Sequence, residues 1–129
     1  MEKEKLVIAD TDVIIEFLDR NNEFVAQKLR SFGINNIFLS EVTASKLVFG
    51  ARNRKHLATL TTFLGQCVVL SVNNAISAFH FKLVRDHSLS HKLKVQDALI
   101  AAATALHWEI ELYTLNKKDF RFIKDIVLI

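Results

Sequence analysis

The chain has 129 residues, half of them apolar and 24% charged, which suits a single folded domain over residues 1–129 and not a disordered chain. Three glycines, no proline and one cysteine exclude collagen-like and Pro-rich classes, an intramolecular disulfide framework and a thiolate zinc cluster. The formal charge of +3 is compatible with a polyanionic partner but does not require one.

No targeting or membrane-spanning segment stands out. Only four apolar residues, Leu6 to Ala9, follow the charged N-terminus, which is too short for the apolar region of a signal peptide. The longest apolar stretch, around Ala98 to Trp108, is shorter than the roughly 18 residues that indicate a spanning helix. We therefore expect a soluble protein of a reducing compartment, the cytoplasm.

The first half of the chain alternates short apolar strands with helices. A strand over residues 6–9 ends at Asp10, and apolar residues at helical spacing predict a helix over residues 12–18. A second helix covers residues 23–32 and stops at Gly33, a suitable C-terminal cap. A strand over residues 37–39 leads to Ser40, which can cap a helix running to about Ala51. Another helix covers roughly residues 54–64, before Gly65.

The second half continues this alternation. It contains a strand over residues 67–70, a helix from 73 to about 86, and an alanine-rich helix over 97–108. A strand over 111–114, a helical turn around 118–122 and a terminal strand over 126–129 follow. Alternating apolar strands and helices predict an α/β fold with a parallel sheet and helices on both faces. Such folds place their chemistry beyond the carboxyl ends of the strands.

Three aspartates lie at such junctions. Asp10 follows the first strand, Asp97 opens the alanine-rich helix, and Asp119 begins the last short helix. Each one alone is explained as a helix N-cap. Three of them, at junctions that the fold can bring to one sheet edge, favour a shared site.

Carboxylates in one cleft raise one another's pKa unless a cation neutralises them. Mg²⁺ takes oxygen ligands and needs few protein carboxylates. Such a site can activate water for in-line attack on a phosphodiester. A basic surface around it would suit a nucleic acid substrate, because Lys and Arg bind phosphates.

Segments in four parts of the chain carry a family resemblance. They are IADTDVII at residues 8–15, SEVT with KLVFG within residues 40–50, VQDALIAA at 95–102 and LYTLNKKDF at 112–120. In this order and spacing they resemble PIN-domain proteins, especially the VapC-type toxins of bacterial toxin–antitoxin pairs. The resemblance covers essentially the whole chain. Each motif alone is weak, but the four together are specific.

The resemblance implies a three-layer α/β/α sandwich with a central parallel sheet, and cleavage of RNA that depends on Mg²⁺ or Mn²⁺. It also implies a homodimer and a small antitoxin whose C-terminal segment lies over the active site. The matching positions make three residues metal-binding and catalytic: Asp10, Asp97 and Asp119. Positions at the rim of the site are Asn116, Thr114 and Ser40, and nearby basic residues such as Lys117 and Lys118 are candidates for lining the RNA path.

The chain departs from the family pattern at Lys46. The family has a glutamate in this slot of the segment Ser-x-x-Thr-x-x-Glu-Leu-x-x-Gly, so a site with four carboxylates changes from a charge of −4 to −2. An ammonium about 4 Å from a divalent cation is repelled by roughly 8 kcal/mol at an effective dielectric of 20, an upper bound because the long side chain can turn toward solvent. Lys46 should therefore weaken metal binding or substitute for a cation.

Three interpretations of Lys46 stay open. The protein is a weakened or inactive nuclease; or Asp10, Asp97 and Asp119 suffice for metal while Lys46 contacts phosphate; or Glu41 replaces the missing carboxylate. The last is disfavoured, because five residues correspond to about 500° of helix rotation and place the two side chains on different faces. An ordinary solvated lysine is the alternative without function.

Two other families share the first motif. Asp10-Thr-Asp12-Val resembles haloacid-dehalogenase-type phosphatases, in which the first Asp is a nucleophile and the second a general acid–base. Ile14 departs from that motif, and the chain is short for that fold with its cap. A response-regulator receiver needs an aspartate after its third strand, where this chain has Ser71-Val-Asn-Asn.

The sequence therefore predicts a metal-dependent endoribonuclease, the toxin of a VapBC-type pair, acting through metal-activated water. The alternative is a non-catalytic PIN-like module that binds RNA or an antitoxin, its pocket disarmed by Lys46. The target RNA is not encoded in any motif, because members of this family differ in the loops that select the substrate.

Overall fold

The computed structural model describes residues 5–90 and 96–129, without the side chains of residues 96–98. Strands and helices alternate along these residues as the apolar pattern predicts. The strands are β1 Val7–Ala9, β2 Ile37–Ser40, β3 Val68–Leu70 and β4 Glu111–Tyr113. The helices are α1 Thr11–Leu18, α2 Glu23–Phe32, α3 Glu41–Phe49, α4 Arg54–Gln66, α5 Asn74–His87 and α6 Gln96–Trp108. Two 3₁₀ turns, Ile34–Asn36 and Lys117–Asp119, complete the described elements.

The four strands form one parallel sheet in the order β3-β2-β1-β4. Ile8 of β1 pairs with Phe38 of β2 on one side and with Leu112 of β4 on the other. The carboxyl ends of all four strands therefore meet at the same edge. The terminal strand expected over residues 126–129 is reduced to one residue pair. This pair is a parallel bridge between Leu112 and Leu128.

Alternating side chains of the central strand divide the core into two layers. Val7 and Ala9 pack with apolar residues of α1 to α4 on one face. Ile8 packs on the other face with α5, α6 and the C-terminal segment. In α6 the small side chains Ala101, Ala102, Ala103 and Ala105 are all buried, which permits close approach to the sheet and to α5. The expected α/β/α sandwich with a central parallel sheet is thus confirmed.

Helix ends follow the sequence signals in most places. Gly33 ends α2 with a φ of 85°, a conformation that favours glycine. Ser40 caps α3, and its hydroxyl accepts a hydrogen bond from the backbone N–H of Val42 at 3.3 Å. The expected stop before Gly65 is wrong, because α4 continues to Gln66 and the capping N–H is that of Cys67, which bonds to the carbonyl of Phe63. Cys67 therefore ends a helix, and β3 begins one residue later.

Other boundaries shift by a residue or two. Helix α1 begins at Thr11, directly after Asp10, and α3 ends at Phe49 before Gly50. The last helical turn covers Lys117–Asp119 instead of residues 118–122. Among the described residues, no helix has the length and apolar character needed to span a bilayer.

Candidate active site

Asp10 lies at the carboxyl end of β1, where it is the N-cap of α1 and only 8% exposed. Its Oδ1 accepts a hydrogen bond from the backbone N–H of Thr11 at 2.8 Å, and its Oδ2 accepts one from the hydroxyl of Thr114 at 2.9 Å. Its backbone N–H donates to the carbonyl of Tyr113 at 2.9 Å. The capping role expected for a lone aspartate is therefore present, together with a buried bond to β4 that capping does not require.

The loop after β4 is held by side chains of the β1–α1 junction. The hydroxyl of Thr114 also accepts a hydrogen bond from the backbone N–H of Asn116 at 3.1 Å. The Asn116 side-chain amide donates to Oδ2 of Asp12 at 2.9 Å, and the N–H of Leu115 donates to the same oxygen at 3.3 Å. Asp10, Asp12, Thr114 and Asn116 thus form a hydrogen-bonded clamp between β1–α1 and the loop after β4. We call these four residues the carboxylate clamp.

Two opposite charges act on the Asp10 carboxylate. Burial raises its pKa above the usual value, the bonds from Thr114 and Thr11 lower it, and the charge of Lys46 lowers it further. The negative charge of Asp119 acts in the raising direction. Lys46 and Asp119 are therefore both close enough to Asp10 to act on it electrostatically, although both side chains are exposed. The charge of Lys46 therefore acts on the first carboxylate.

Asp12 is a second carboxylate of this edge and is half-buried. Burial and the neighbouring charge of Asp10 raise its pKa to about 6. Its Oδ1 is buried without a hydrogen-bond partner among the described residues, as is the hydroxyl of Tyr113, whose pKa is raised by burial and by the charge of Asp12. The site therefore contains negative charge that is only partly compensated by the hydrogen bonds of the clamp.

Hydrogen bonds join three of the residues expected from the sequence, Asp10, Thr114 and Asn116. Thr114 and Asn116 bond within the clamp, and Asp119 ends the second 3₁₀ turn instead of beginning a helix. Asp97 is the second residue of α6, and its side chain lies outside the described residues. Ser40 is buried at the end of β2, and its described hydrogen bond caps α3.

Glu41 does not take the place of the missing glutamate. It lies in the first turn of α3, is exposed, and accepts a hydrogen bond from the hydroxyl of Ser45 at 2.6 Å. The charges of Lys46 and Asp119 act on the Asp10 carboxylate. The sequence disfavours Glu41 as the replacement carboxylate, and the hydrogen bond that it accepts from Ser45 is consistent with that expectation.

In the sequence, Asp12 stands out only as part of a motif shared with phosphatases. Its contact with the loop after β4 was not predicted. Two carboxylates two residues apart, directly after a buried strand, were the available signal. The first turn of a helix that starts at a sheet edge keeps such a side chain near the loops of that edge. Asp12 therefore belongs to the site as the residue that holds the loop after β4.

The carboxylate oxygens of the site suit a hard cation. Carboxylate oxygens of Asp10 and Asp119 are ligands of the type that Mg²⁺ and Mn²⁺ take, and a cation would reverse the effect that burial has on Asp10. The described residues are 5–90 and 96–129, without the side chains of 96–98. Among them, no three His, Cys, Asp or Glu residues lie close enough together to bind one metal ion. Asp97, which the sequence predicts as a further ligand, has its side chain outside the described residues.

The raised pKa of Asp12 predicts a pH-dependent stability. With a folded pKa of about 6 against 3.8 for the ordinary group, the folded protein holds a proton between these values that the unfolded chain has lost. The favourable contribution is thus fully present below pH 3.8 and disappears as the pH rises through 6. In metal-free buffer with EDTA, Asp12→Asn should gain about 1–2 kcal/mol relative to the parent between pH 4 and 7.5.

Thermal unfolding at pH 4 and pH 7.5 measures this difference as a change of a few degrees in Tm. Asp125→Asn, on an exposed turn at a positive φ that asparagine tolerates, controls for the loss of one carboxylate. A Tm difference between Asp12→Asn and the parent that is the same at both pH values would contradict the assignment.

Comparison with known proteins agrees with the fold. A family model described as PIN domain matches residues 7–124. Among curated proteins, no match reaches the significance threshold. Solved structures give strong matches at low identity, and below 25% identity such likeness shows the fold alone.

Three of the matched structures are of VapBC and FitAcB proteins. VapBC2 from Rickettsia felis, bound to a promoter DNA fragment, matches with a TM-score of 0.86 at 17% identity, covering 96% of this chain and 97% of that one. DNA-bound VapBC from Salmonella typhimurium matches with a TM-score of 0.86 at 16% identity, covering 97% of both chains. FitAcB from Neisseria gonorrhoeae matches with a TM-score of 0.78 at 24% identity, covering 95% and 96%. With the family model matched over residues 7–124 and the parallel sheet that carries Asp10 at its edge, the chain belongs to the PIN-domain family.

Proposed function

We propose that this protein is a divalent-metal-dependent endoribonuclease, the toxin component of a VapBC-type pair. Membership of the PIN-domain family and the likeness to toxin–antitoxin structures support a nuclease toxin. The observation that carries the proposal is the buried Asp10 carboxylate at the carboxyl edge of the sheet, with Asp119 within electrostatic reach. Burying a carboxylate costs free energy unless it is compensated, so its position there calls for a function.

The proposed ligands of the metal are Asp10, Asp97 and Asp119. A bound Mg²⁺ or Mn²⁺ would supply neutralisation of the phosphate charge and activation of water for hydrolysis of the phosphodiester. The chain itself orients the ligands. Thr114 fixes the Asp10 carboxylate by donating to Oδ2, and Asp12 holds Asn116, so that the loop leading to Asp119 starts from a fixed point.

The alternative function is a PIN module that binds RNA or an antitoxin without efficient catalysis. The observation that favours it is Lys46, whose positive charge acts on Asp10 in the same direction as a metal ion would. A resident ammonium reduces the net negative charge that attracts a divalent cation. The two functions are separated by measuring cleavage and metal affinity independently.

Cleavage should depend on the proposed ligands. With Mg²⁺ or Mn²⁺ and single-stranded RNA, Asp10→Asn and Asp97→Asn should each lower the cleavage rate by at least about a hundredfold, because each removes negative charge that holds the cation. Asn preserves the size of the side chain, and Asn at position 10 can still accept the bond from Thr11. Gel analysis of RNA fragments over time, with and without EDTA, measures the effect.

The exposed Asp125→Asn serves as the control for this assay. Full activity of Asp97→Asn or Asp10→Asn would contradict the enzyme. RNA cleavage that appears only after Lys46→Glu would support the disarmed module instead.

Metal affinity should increase when Lys46 is replaced. Lys46→Glu removes a repelling charge and adds a ligand of the preferred type, so Mn²⁺ should bind at least about tenfold more tightly, a difference of about 1.4 kcal/mol. Isothermal titration calorimetry with the metal alone measures this without reference to catalysis. Lys82→Glu, the same two-unit charge change on exposed α5, is the matched control. Equal Mn²⁺ affinity of the parent and Lys46→Glu would contradict the role of Lys46.

We further propose that an antitoxin is the physiological partner, that the protein is a homodimer, and that the pair acts in the cytoplasm. One of the solved structures that resemble the chain is a toxin–antitoxin complex from Klebsiella pneumoniae, with a TM-score of 0.78 at 22% identity. An apolar cleft of about 530 Å³ between α1, the first 3₁₀ turn and α4 offers a place for an amphipathic helix of this partner. Its lining includes Phe17, Leu18, Ile34 and Phe63.

A charge in this cleft should prevent the complex. The product of a small reading frame immediately upstream, coexpressed with the chain, should copurify with the parent and be lost with Ala58→Glu, because the exposed Ala58 lines the cleft. Thr61→Glu introduces the same charge on the same helix outside the lining and should retain the partner. Retention by Ala58→Glu would exclude the cleft as the contact.

A further inference from the structure

One short segment near the C-terminus has an excess of basic residues. Residues 116–124 contain four basic residues and one acidic residue, a net charge of +3, which equals the net charge of the whole chain. The basic residues are Lys117, Lys118, Arg121 and Lys124, and all four are exposed. The acidic residue is Asp119, a proposed metal ligand.

These four cations differ from most arginines elsewhere in the molecule. Four of the other five arginines lie in an ion pair with a nearby carboxylate. The pairs are Arg20–Glu16, Arg30–Glu23, Arg52–Asp19 and Arg85–Asp86. Within residues 5–90 and 96–129, none of the four cations of residues 116–124 has a carboxylate oxygen within 4 Å. Their charge is therefore available to a ligand without the cost of breaking an existing pair.

The backbone of this segment is fixed on the domain. Phe120 and Ile123 are 1% and 4% exposed and pack in the core with Leu112 and Ile8. Turn hydrogen bonds run from the N–H groups of Phe120 and Arg121 to the carbonyl of Lys117, and from Ile123 to Phe120. Because alternate parts of the segment point into the core, the basic side chains are left on its outer side.

One end of the segment is tied to the active site. Lys117 directly follows Asn116, whose side chain bonds to Asp12 at 2.9 Å and whose N–H bonds to Thr114 at 3.1 Å. The first cation therefore adjoins the carboxylate clamp in the chain, and the other three follow within seven residues. We call Lys117, Lys118, Arg121 and Lys124 the cationic strip.

We propose that the cationic strip binds the phosphates of the RNA strand on one side of the bond that is cut. The inference rests on the proposed nuclease function, because the carboxylates mark where the scissile phosphate lies. Asp119 would help to hold a metal ion, and the four bases would neutralise the phosphates that flank the scissile one. A polyanion is favoured over an acidic protein because the strip directly follows Asn116 of the carboxylate clamp in the chain.

Binding through the strip should depend on salt in a defined way. Each phosphate contact with a single strand contributes a slope of about −0.7 to the dependence of log affinity on log salt concentration. In EDTA, which prevents cleavage, a fluorescently labelled 20-nucleotide RNA is titrated with protein between 50 and 200 mM KCl. The triple variant Lys118→Gln, Arg121→Gln and Lys124→Gln should bind at least about tenfold more weakly at 100 mM salt, with a slope shallower by about 2.

The matched control is Arg30→Gln with Lys82→Gln and Arg85→Gln, which removes the same formal charge from exposed positions of α2 and α5. It should keep most of the affinity and the parental slope. An unchanged slope in the strip variant, or an equal loss in both variants, overturns the proposal. A poly-glutamate of similar length that binds as tightly as the RNA and is lost equally in the strip variant overturns the assignment to RNA. Equal Tm values and circular dichroism spectra establish that all variants are folded.

The outcome is separable from that of the proposed nuclease function. Asp10→Asn should lose cleavage and still bind RNA with the parental salt slope in EDTA, since the strip is intact. A parent that binds RNA through the strip but does not cleave it would reject the nuclease alone. Cleavage that persists with an unchanged salt slope in the strip variant would reject the strip alone.

Discussion

The hydrogen bond from the Thr114 hydroxyl to the Asp10 carboxylate is the interaction on which the site depends. It joins residues 104 positions apart, and it is buried between the carboxyl ends of the neighbouring parallel strands β1 and β4. Parallel pairing makes the bond possible, because only then do both strand ends reach the same edge. The same hydroxyl accepts from Asn116, so the path of the chain toward Asp119 is set by the atom that orients Asp10.

The clamp compensates only part of the cost of removing the Asp10 and Asp12 carboxylates from water, one of them buried and the other half-buried. Asp10 receives bonds from Thr11 and Thr114, yet burial still raises its pKa, and Asp10 in turn raises the pKa of Asp12. The hydrogen bonds do not fully offset the cost of removing these carboxylates from water. A nearby positive charge therefore stabilises their ionised form. In this chain that charge includes Lys46, which lowers the pKa of Asp10. An ammonium and a divalent cation would compete for the same electrostatic role.

Local signals in the sequence predicted the frame of this site well. Asp10 after four apolar residues, Gly33 after a helical pattern and Ser40 before another are signals whose physical cause lies within a few residues, and all three end or begin helices as expected. Features that depend on tertiary packing were not predicted from the sequence. Gly65 continues α4, since packing of Phe63 outweighs the weak helix propensity of one glycine. The role of Asp12 depends on a loop about 100 residues away, which no local pattern contains.

The arrangement of charge gives the net value of +3 a specific meaning. Carboxylates are gathered at one sheet edge and are partly buried, whereas the four cations of the strip lie on the surface with their charges uncompensated by ion pairs among the described residues. A buried acid is sensitive to one nearby charge, because the local dielectric is low, but an exposed cation acts chiefly on a ligand in direct contact, because salt screens it beyond about 10 Å. Changing Lys46 should therefore alter what the pocket binds, whereas changing the strip should alter how tightly a long polyanion is held. Positive charge thus has two separate effects in this molecule. Lys46 affects which cation the pocket binds, and the cationic strip affects how tightly the surface holds a polyanion.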